Sequence, residues 1–220
     1  MIDDLDFEHP WDEMYSRLGR KVPWAHDPFD QGVVELVASE AERLSGLFRP
    51  ILCAEIGCGN GRNLGALRER GINAVGVDFS QSALTQAREL LSGTYLVRAT
   101  VTRLPFAEGR FGIVYDYGCL HAIAPRDQRL YAANVRRILD RRGTLIVFVR
   151  ERRADHPPEE PVLLLPEGIA EWGFTVDQIS ALFADFELTD VIPFAGSPPE
   201  TFFYFVLRPR GGAEHYRETA

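Results

Sequence analysis

Residues 51–78 read ILCAEIGCGNGRNLGALRERGINAVGVD, and this stretch decides the fold. An apolar run, Ile51 to Ile56, carries an acid, Glu55, and ends in three alternating glycines, Gly57, Gly59 and Gly61. A helix-forming segment follows, then a second apolar run, Ala74 to Val77, closed by Asp78. That order predicts a strand, a tight glycine turn, a helix and a second, parallel strand. Glycine is needed in the turn because a side chain would hold the backbone away from a ligand and would oppose positive φ. Bare N–H groups are then left to line a cavity.

The spacing helps choose the ligand. A dinucleotide site wants G-x-G-x-x-G with the pyrophosphate on a helix N-terminus, but here the turn reads G-C-G-N-G with an acid two places ahead. The third glycine of the dinucleotide pattern is missing, and Glu55 suits a cationic ligand better than a diphosphate. Asp78, 17 residues after Gly61, can take both hydroxyls of a ribose. An amino acid joined to a nucleoside fits this pair of sites.

E-I-G-C-G-N-G at 55–61 followed by G-V-D at 76–78 resembles the first two motifs of class I S-adenosylmethionine-dependent methyltransferases, with a likeness in motif order from about Trp11 to Leu207. Within that class the chain looks most like thiopurine methyltransferase and related small-molecule methyltransferases. That narrower likeness rests on Trp11-Asp12-x-x-Tyr15, Val22-Pro23-Trp24 and Asp116-Tyr117-Gly118-Cys119-Leu120-His121-Ala122-Ile123. The resemblance implies an α/β fold: a Rossmann-like, seven-stranded, mostly parallel sheet with helices on both faces and a C-terminal antiparallel hairpin. It implies S-adenosyl-L-methionine as cofactor, S-adenosyl-L-homocysteine as product, and a small-molecule acceptor methylated at sulfur, nitrogen or oxygen. Carried onto this sequence, the cofactor set is Glu55, Gly57, Cys58, Gly59, Asn60, Gly61, Asp78, Phe79, Thr100, Val101 and Asp116, with Trp11, Tyr15 and Trp24 closing over it. In the family an Asp commonly stands four residues before Leu104-Pro105-Phe106 and accepts from the adenine amino group; here that place holds Thr100, a weaker partner.

The 24 basic residues against 32 acidic ones give a net charge of −8, which disfavours a nucleic-acid partner, since phosphate-backbone binding rests on clustered Lys and Arg. No run approaches the roughly 20 apolar residues a membrane span needs, and the N-terminus lacks the form of a secretion signal. A cytoplasmic protein is expected, of open oligomeric state. Cys53, Cys58 and Cys119 are an odd number without close pairs, so no disulfide framework is expected. Cys119 sits beside the expected reaction site, where nothing nearby supplies a metal-ligand set.

Residues 1–32, acidic and aromatic with Pro10, Pro23 and Pro28, read as an ordered arm that either caps the site or packs on the domain edge. Residues 33–208 read as the main domain, beginning with a helix over 33–47. Ser80 and Thr175 are expected helix caps, and Gly71 and Gly93 helix terminators. A fourth strand, 111–116, delivers Asp116 to the carboxyl end of the sheet, where it is expected to face the transferred methyl. His121 or Asp116 could hold or remove an acceptor proton; alternatively both tie the loop together, since methyl transfer can proceed by positioning alone. The arginines at 126, 129, 136, 137, 141 and 142 are expected on a solvated surface. Residues 151–173, with four prolines, are expected to form an insertion, either over the active site with Leu164, Leu165 and Trp172 as substrate contacts or tucked onto the sheet edge. Two last strands, 187–194 and 201–207, close the sheet, and 209–220 reads as a disordered tail. Two other functions fit parts of this pattern: a noncatalytic module that binds the same cofactor, and a NAD-dependent oxidoreductase.

Overall fold

The computed structural model describes residues 9–22, 31–47, 50–157, 160–195 and 201–211. Seven strands form one sheet in the order β3 (Tyr95–Arg98), β2 (Asn73–Asp78), β1 (Leu52–Ile56), β4 (Phe111–Tyr117), β5 (Leu139–Arg150), β9 (Thr201–Pro209) and β8 (Phe186–Ala195). β1 to β5 pair in parallel, while β9 runs antiparallel to both β5 and β8. Parallel strands are covered on both faces and therefore read as unbroken apolar runs. This is why 51–56 and 111–115 were legible as strands.

Each face is closed by amphipathic helices. On one face α2 (Gln31–Leu44) and α3 (Arg62–Glu69) bury Val33, Val37, Leu44 and Leu67 against Cys53, Ile113, Tyr115 and Ile146. On the other face α5 (Pro125–Ile138) and α6 (Val176–Leu182) bury Tyr131, Val135, Ile138 and Ile179 against Ala54, Val114, Leu145 and Val147. Each fully buried aliphatic or aromatic side chain contributes about 1.5–3 kcal/mol. Ser80 caps α4 (Gln81–Leu90) by accepting from the N–H of Ala83, and Thr175 forms a capping box with Gln178 on α6.

The order of strands positions the site. From β1 the chain moves outward through β2 to the edge at β3, then crosses back to enter β4 on the other side of β1. The connections after β1 and β4 therefore diverge, opening a crevice at the carboxyl ends of these two strands, where ligands of open α/β sheets bind.

Three expectations are revised. Arg137 is half-buried: its guanidinium donates to the carbonyls of Leu104 and Phe106, and Arg136, also half-buried, lies 5.8 Å over the Phe186 ring. The helix places these two beside the 104–106 turn and β8, where carbonyls and a ring replace part of their water. Order also extends past 209, since β9 includes Pro209 and Arg210 N–H donates to the Asp185 carbonyl at 2.9 Å; residues 212–220 lie outside the described residues. Finally, 160–174 contains a short hairpin, β6 (Leu163–Leu164) with β7 (Ala170–Glu171), which apolar periodicity does not signal because each strand has two residues. Among the described residues no helix is long and apolar enough to cross a membrane.

Candidate active site

The turn after β1 has Gly57, Gly59 and Gly61 all at positive φ, 71°, 53° and 78°. A Cβ on Gly57 would lie 2.5 Å from Cβ of Cys119, and one on Gly59 would overlap the Tyr15 hydroxyl. Glycine thus allows both the loop after β4 and the N-terminal arm to close on the turn. The N–H groups of Gly57 and Cys58 donate to the Val77 carbonyl at 2.8 and 2.9 Å, tying the turn to β2. Asn60 is 4% exposed, and its amide Nδ2 has no hydrogen-bond partner among the described residues.

Asp78 stitches this turn to the next one. Its Oδ2 accepts from Gly59 N–H and its Oδ1 from Ser80 N–H, both at 2.8 Å. Burial pushes its carboxyl up to about 6, against the lowering pull of those N–H groups. Phe79 is half-buried, and its carbonyl accepts from Arg98 Nε at 3.0 Å. Thr100 and Val101 are half-buried at the end of β3, where the Thr100 hydroxyl shares a 3.1 Å hydrogen bond with Thr102.

Glu55 lies beneath the turn and not in it. It is 2% exposed; Oε1 accepts from Asn63 Nδ2 and Oε2 from the Tyr115 hydroxyl, each at 3.0 Å. Burial pushes its carboxyl up to about 8, so it is largely neutral at pH 7. The expectation that Glu55 meets a cationic ligand gives way to a supporting position, because the pleat of β1 turns its side chain toward α3 and Tyr115.

The arm lies against α4 and the glycine turn. Asp12 on α1 (His9–Leu18) accepts from the Ser80 hydroxyl at 2.7 Å and Ser82 N–H at 3.1 Å, acting as a second cap on α4. Burial works to raise its carboxyl pKa, but the Ser80 and Ser82 hydrogen bonds and Arg98 bring it below the ordinary value. Gln86 Nε2 donates to the Tyr15 carbonyl at 2.9 Å. Met14, Tyr15, Val22 and Ile169 form one buried cluster, with Trp11 and Leu165 packed against it. The 151–173 insertion therefore meets the arm: Leu165 joins this cluster, Arg17 pairs with Glu167 at 3.2 Å, and Leu164 is left 63% exposed. Trp24 lies outside the described residues.

In the loop after β4, Asp116 is 0% exposed. Its carboxylate accepts from Cys119 N–H at 2.7 Å, Leu120 N–H at 3.0 Å and the Tyr131 hydroxyl at 2.7 Å. Burial pushes it up to about 6, with these bonds holding it from rising further. A wholly buried carboxylate does not face a transferred methyl; Asp116 instead folds the loop back so that Cys119 flanks the glycine turn at Gly57. Burial raises the Cys119 thiol well above its ordinary range, as it does those of Cys58 and Cys53, the last to about 12. His121 is 6% exposed; Nδ1 accepts from Arg150 N–H at 3.1 Å, Nε2 lies 3.9 Å from Glu171 Oε1, and its carbonyl accepts from Trp172 N–H at 2.6 Å. Trp172 is thus a buried support of this loop. Tyr131, Asn63, Tyr115, Arg150 and Glu171 were missed by sequence reading, since each acts through a contact with a residue distant in the chain.

Residues 54–147 match the family model of the methyltransferase domain. The chain is 28% identical over 135 residues to an uncharacterized methyltransferase of Synechocystis sp., covering 60% of this chain and 59% of the relative. It is 31% identical over 88 residues to an uncharacterized methyltransferase of Schizosaccharomyces pombe, covering 38% and 61%. The chain thus spans about three-fifths of the length of these curated relatives. Among solved structures, it superposes on an S-adenosylmethionine-dependent methyltransferase from Anabaena variabilis with a TM-score of 0.68 at 19% identity, over 94% of this chain and 96% of the other. It superposes on the Burkholderia thailandensis 1,6-didemethyltoxoflavin-N1-methyltransferase, bound to 1,6-didemethyltoxoflavin and S-adenosylhomocysteine, with a TM-score of 0.65 at 21% identity, over 82% and 79%. These likenesses establish a shared methyltransferase fold.

Proposed function

We propose that the chain transfers a methyl group from S-adenosylmethionine to a sulfur, nitrogen or oxygen of a small molecule. The observation that carries this reading is the turn at the β1/β4 crevice: three left-handed glycines, with a buried Asn60 amide that has no partner among the described residues. When bound, S-adenosylmethionine supplies an electrophilic methyl on a sulfonium and leaves as the neutral homocysteine thioether.

The residues fit such a group. A carboxylate offers about four acceptor sites; the N–H groups of Gly59, Ser80 and Phe79 engage Asp78, and the remaining acceptor capacity would take a ribose hydroxyl. The turn and Asn60 would hold the amino-acid part, while Thr100 and Val101 would border the adenine. Trp11 and Tyr15 would close over it, consistent with the position of the Tyr15 hydroxyl against Gly59. The narrower likeness to thiopurine methyltransferase-type enzymes is supported by the same Trp11-Asp12-x-x-Tyr15 segment, which here caps α4.

Calorimetry with S-adenosylhomocysteine tests the reading. Binding to the native chain is expected, and Asp78→Ala weakens it roughly ten- to a hundredfold for each charge-assisted hydrogen bond of about 1.5–3 kcal/mol. Unchanged affinity in the variant sinks the ribose assignment, and no binding by the native chain sinks the function.

A further inference from the structure

We infer that Asp12 and Ser80 are positioning residues for the cofactor's ribose: docking of the N-terminal arm is transmitted through them to Asp78, so that cofactor affinity and arm docking rise and fall together. This deepens the methyltransferase reading above and rests on it.

Asp78 is held by backbone donors on two different turns, and the arm reaches both. Its Oδ2 accepts from Gly59 N–H in the turn after β1, and its Oδ1 from Ser80 N–H in the turn after β2, each at 2.8 Å. The Tyr15 hydroxyl lies so close to Gly59 that a Cβ there would overlap it. At the other turn the Ser80 hydroxyl donates to Oδ1 of Asp12 at 2.7 Å. The carboxyl that would take the ribose is therefore braced by α1 as well as by its own sheet.

Ser80 is the junction. It is 1% exposed, and each of its polar groups is engaged: N–H donates to Asp78, O–H to Asp12, Oγ accepts from Ala83 N–H at 3.0 Å, and the carbonyl accepts from Leu84 N–H at 3.1 Å. A residue held at every polar group cannot turn its peptide without straining one of these bonds, so a shift of Asp12 also moves the N–H aimed at Asp78. Capping α4 does not explain the bond to Asp12. A cap supplies acceptors to helical N–H groups, whereas the Ser80 O–H is a donor; its bond joins the ribose turn to a helix 68 residues away.

Coupling of this kind is reciprocal: whatever factor arm docking adds to cofactor affinity, bound cofactor adds to arm docking. The arm has a second anchor in the buried cluster of Met14, Tyr15, Val22 and Ile169. Replacing Asp12 therefore weakens the polar path to Asp78 and leaves the apolar contact in place, which makes the path separable by experiment. A path through Asp78 also acts only on a ligand that carries ribose hydroxyls.

Two ligands that differ only at the ribose test the inference on the full chain: S-adenosylhomocysteine and its 2′,3′-dideoxy analogue. In calorimetry Asp12→Ala weakens S-adenosylhomocysteine about fivefold and the analogue less than about twofold, whereas a merely structural role weakens both alike. Asp12→Asn keeps a side-chain oxygen for Ser80 and Ser82 and retains the native affinity within about twofold. On the native chain, hydrogen exchange in α1 slows about fivefold more under saturating S-adenosylhomocysteine than under the saturating analogue; this comparison needs no variant and decides the matter if Asp12→Ala does not fold. Equal losses for the two ligands, unchanged S-adenosylhomocysteine affinity in Asp12→Ala, or equal protection of α1 by both ligands overturns the inference while leaving the cofactor reading intact. Failure of the native chain to bind S-adenosylhomocysteine overturns both.

Discussion

The backbone N–H of Arg150 donates to Nδ1 of His121, at 3.1 Å. In a neutral imidazole that nitrogen must then hold the lone pair, which places the ring proton on Nε2, 3.9 Å from Glu171. The ring has no second lone pair with which to accept a proton from a substrate. Burial lowers its pKa further below the usual imidazole range. His121 therefore serves the loop as a hydrogen-bond acceptor.

This makes a specific prediction for two variants. His121→Asn keeps an acceptor for Arg150 N–H and retains turnover within about tenfold, whereas removal of a general base costs roughly a hundredfold or more. His121→Ala leaves the N–H unpaired and destabilises the fold by about 1–3 kcal/mol. Rates across pH 5–9 and thermal melts check both; a hundredfold rate loss in the Asn variant would restore the general-base role.

Glu55 imposes a pH dependence on the unliganded protein. Its folded pKa of about 8 exceeds the ordinary 4.5, so the proton it keeps stabilises the folded state fully below pH 4.5, and that stability is lost as pH rises through 8. Between pH 6 and 8 the loss is on the order of 2 kcal/mol. Glu55→Gln keeps the shape of the contacts with Asn63 and Tyr115 and is expected to flatten this slope. Chemical denaturation at pH 6, 7 and 8 measures it, and an equal slope in the variant assigns the effect to Asp78 and Asp116 instead.

Asp12 holds the arm to α4 through Ser80 and Ser82. Asp12→Ala removes a capping contact of about 1 kcal/mol, which for a chain of this size lowers Tm by about 2–4 °C. The loss is local, so hydrogen exchange is expected to quicken in residues 9–22 and to stay unchanged in β4 and β5. Unaltered exchange in α1 would show that Met14, Tyr15 and Leu165 anchor the arm without it.

Thr100 stands where the family commonly has an Asp, and its hydroxyl already shares a hydrogen bond with Thr102. Thr100→Asp offers a charged acceptor and is expected to tighten S-adenosylhomocysteine binding several-fold, since hydrogen bonds to charged groups are worth about 1.5–3 kcal/mol against about 1 for neutral ones. Calorimetry that shows no gain moves adenine recognition to Val101 and the backbone.

Local sequence determined the sheet and the turn. Apolar runs bounded by glycines, prolines and capping residues carry their own conformational preferences, so the seven main strands, the caps Ser80 and Thr175 and the left-handed glycines could be read from short windows. Tertiary structure alone decided what the polar side chains do. Whether Glu55 and Asp116 meet a ligand or support the backbone depends on Tyr115 and Tyr131, 60 and 15 residues away. The short hairpin had no period to reveal it, and its contact with the arm joins Leu165 to Met14 across the whole domain. Parallel stacking of Tyr117, Phe148 and Phe202 likewise exists only once three strands lie in register. Backbone preference is local and survives in the sequence; the burial and pairing that set the state of a charge or the plane of a ring arise only when distant segments meet.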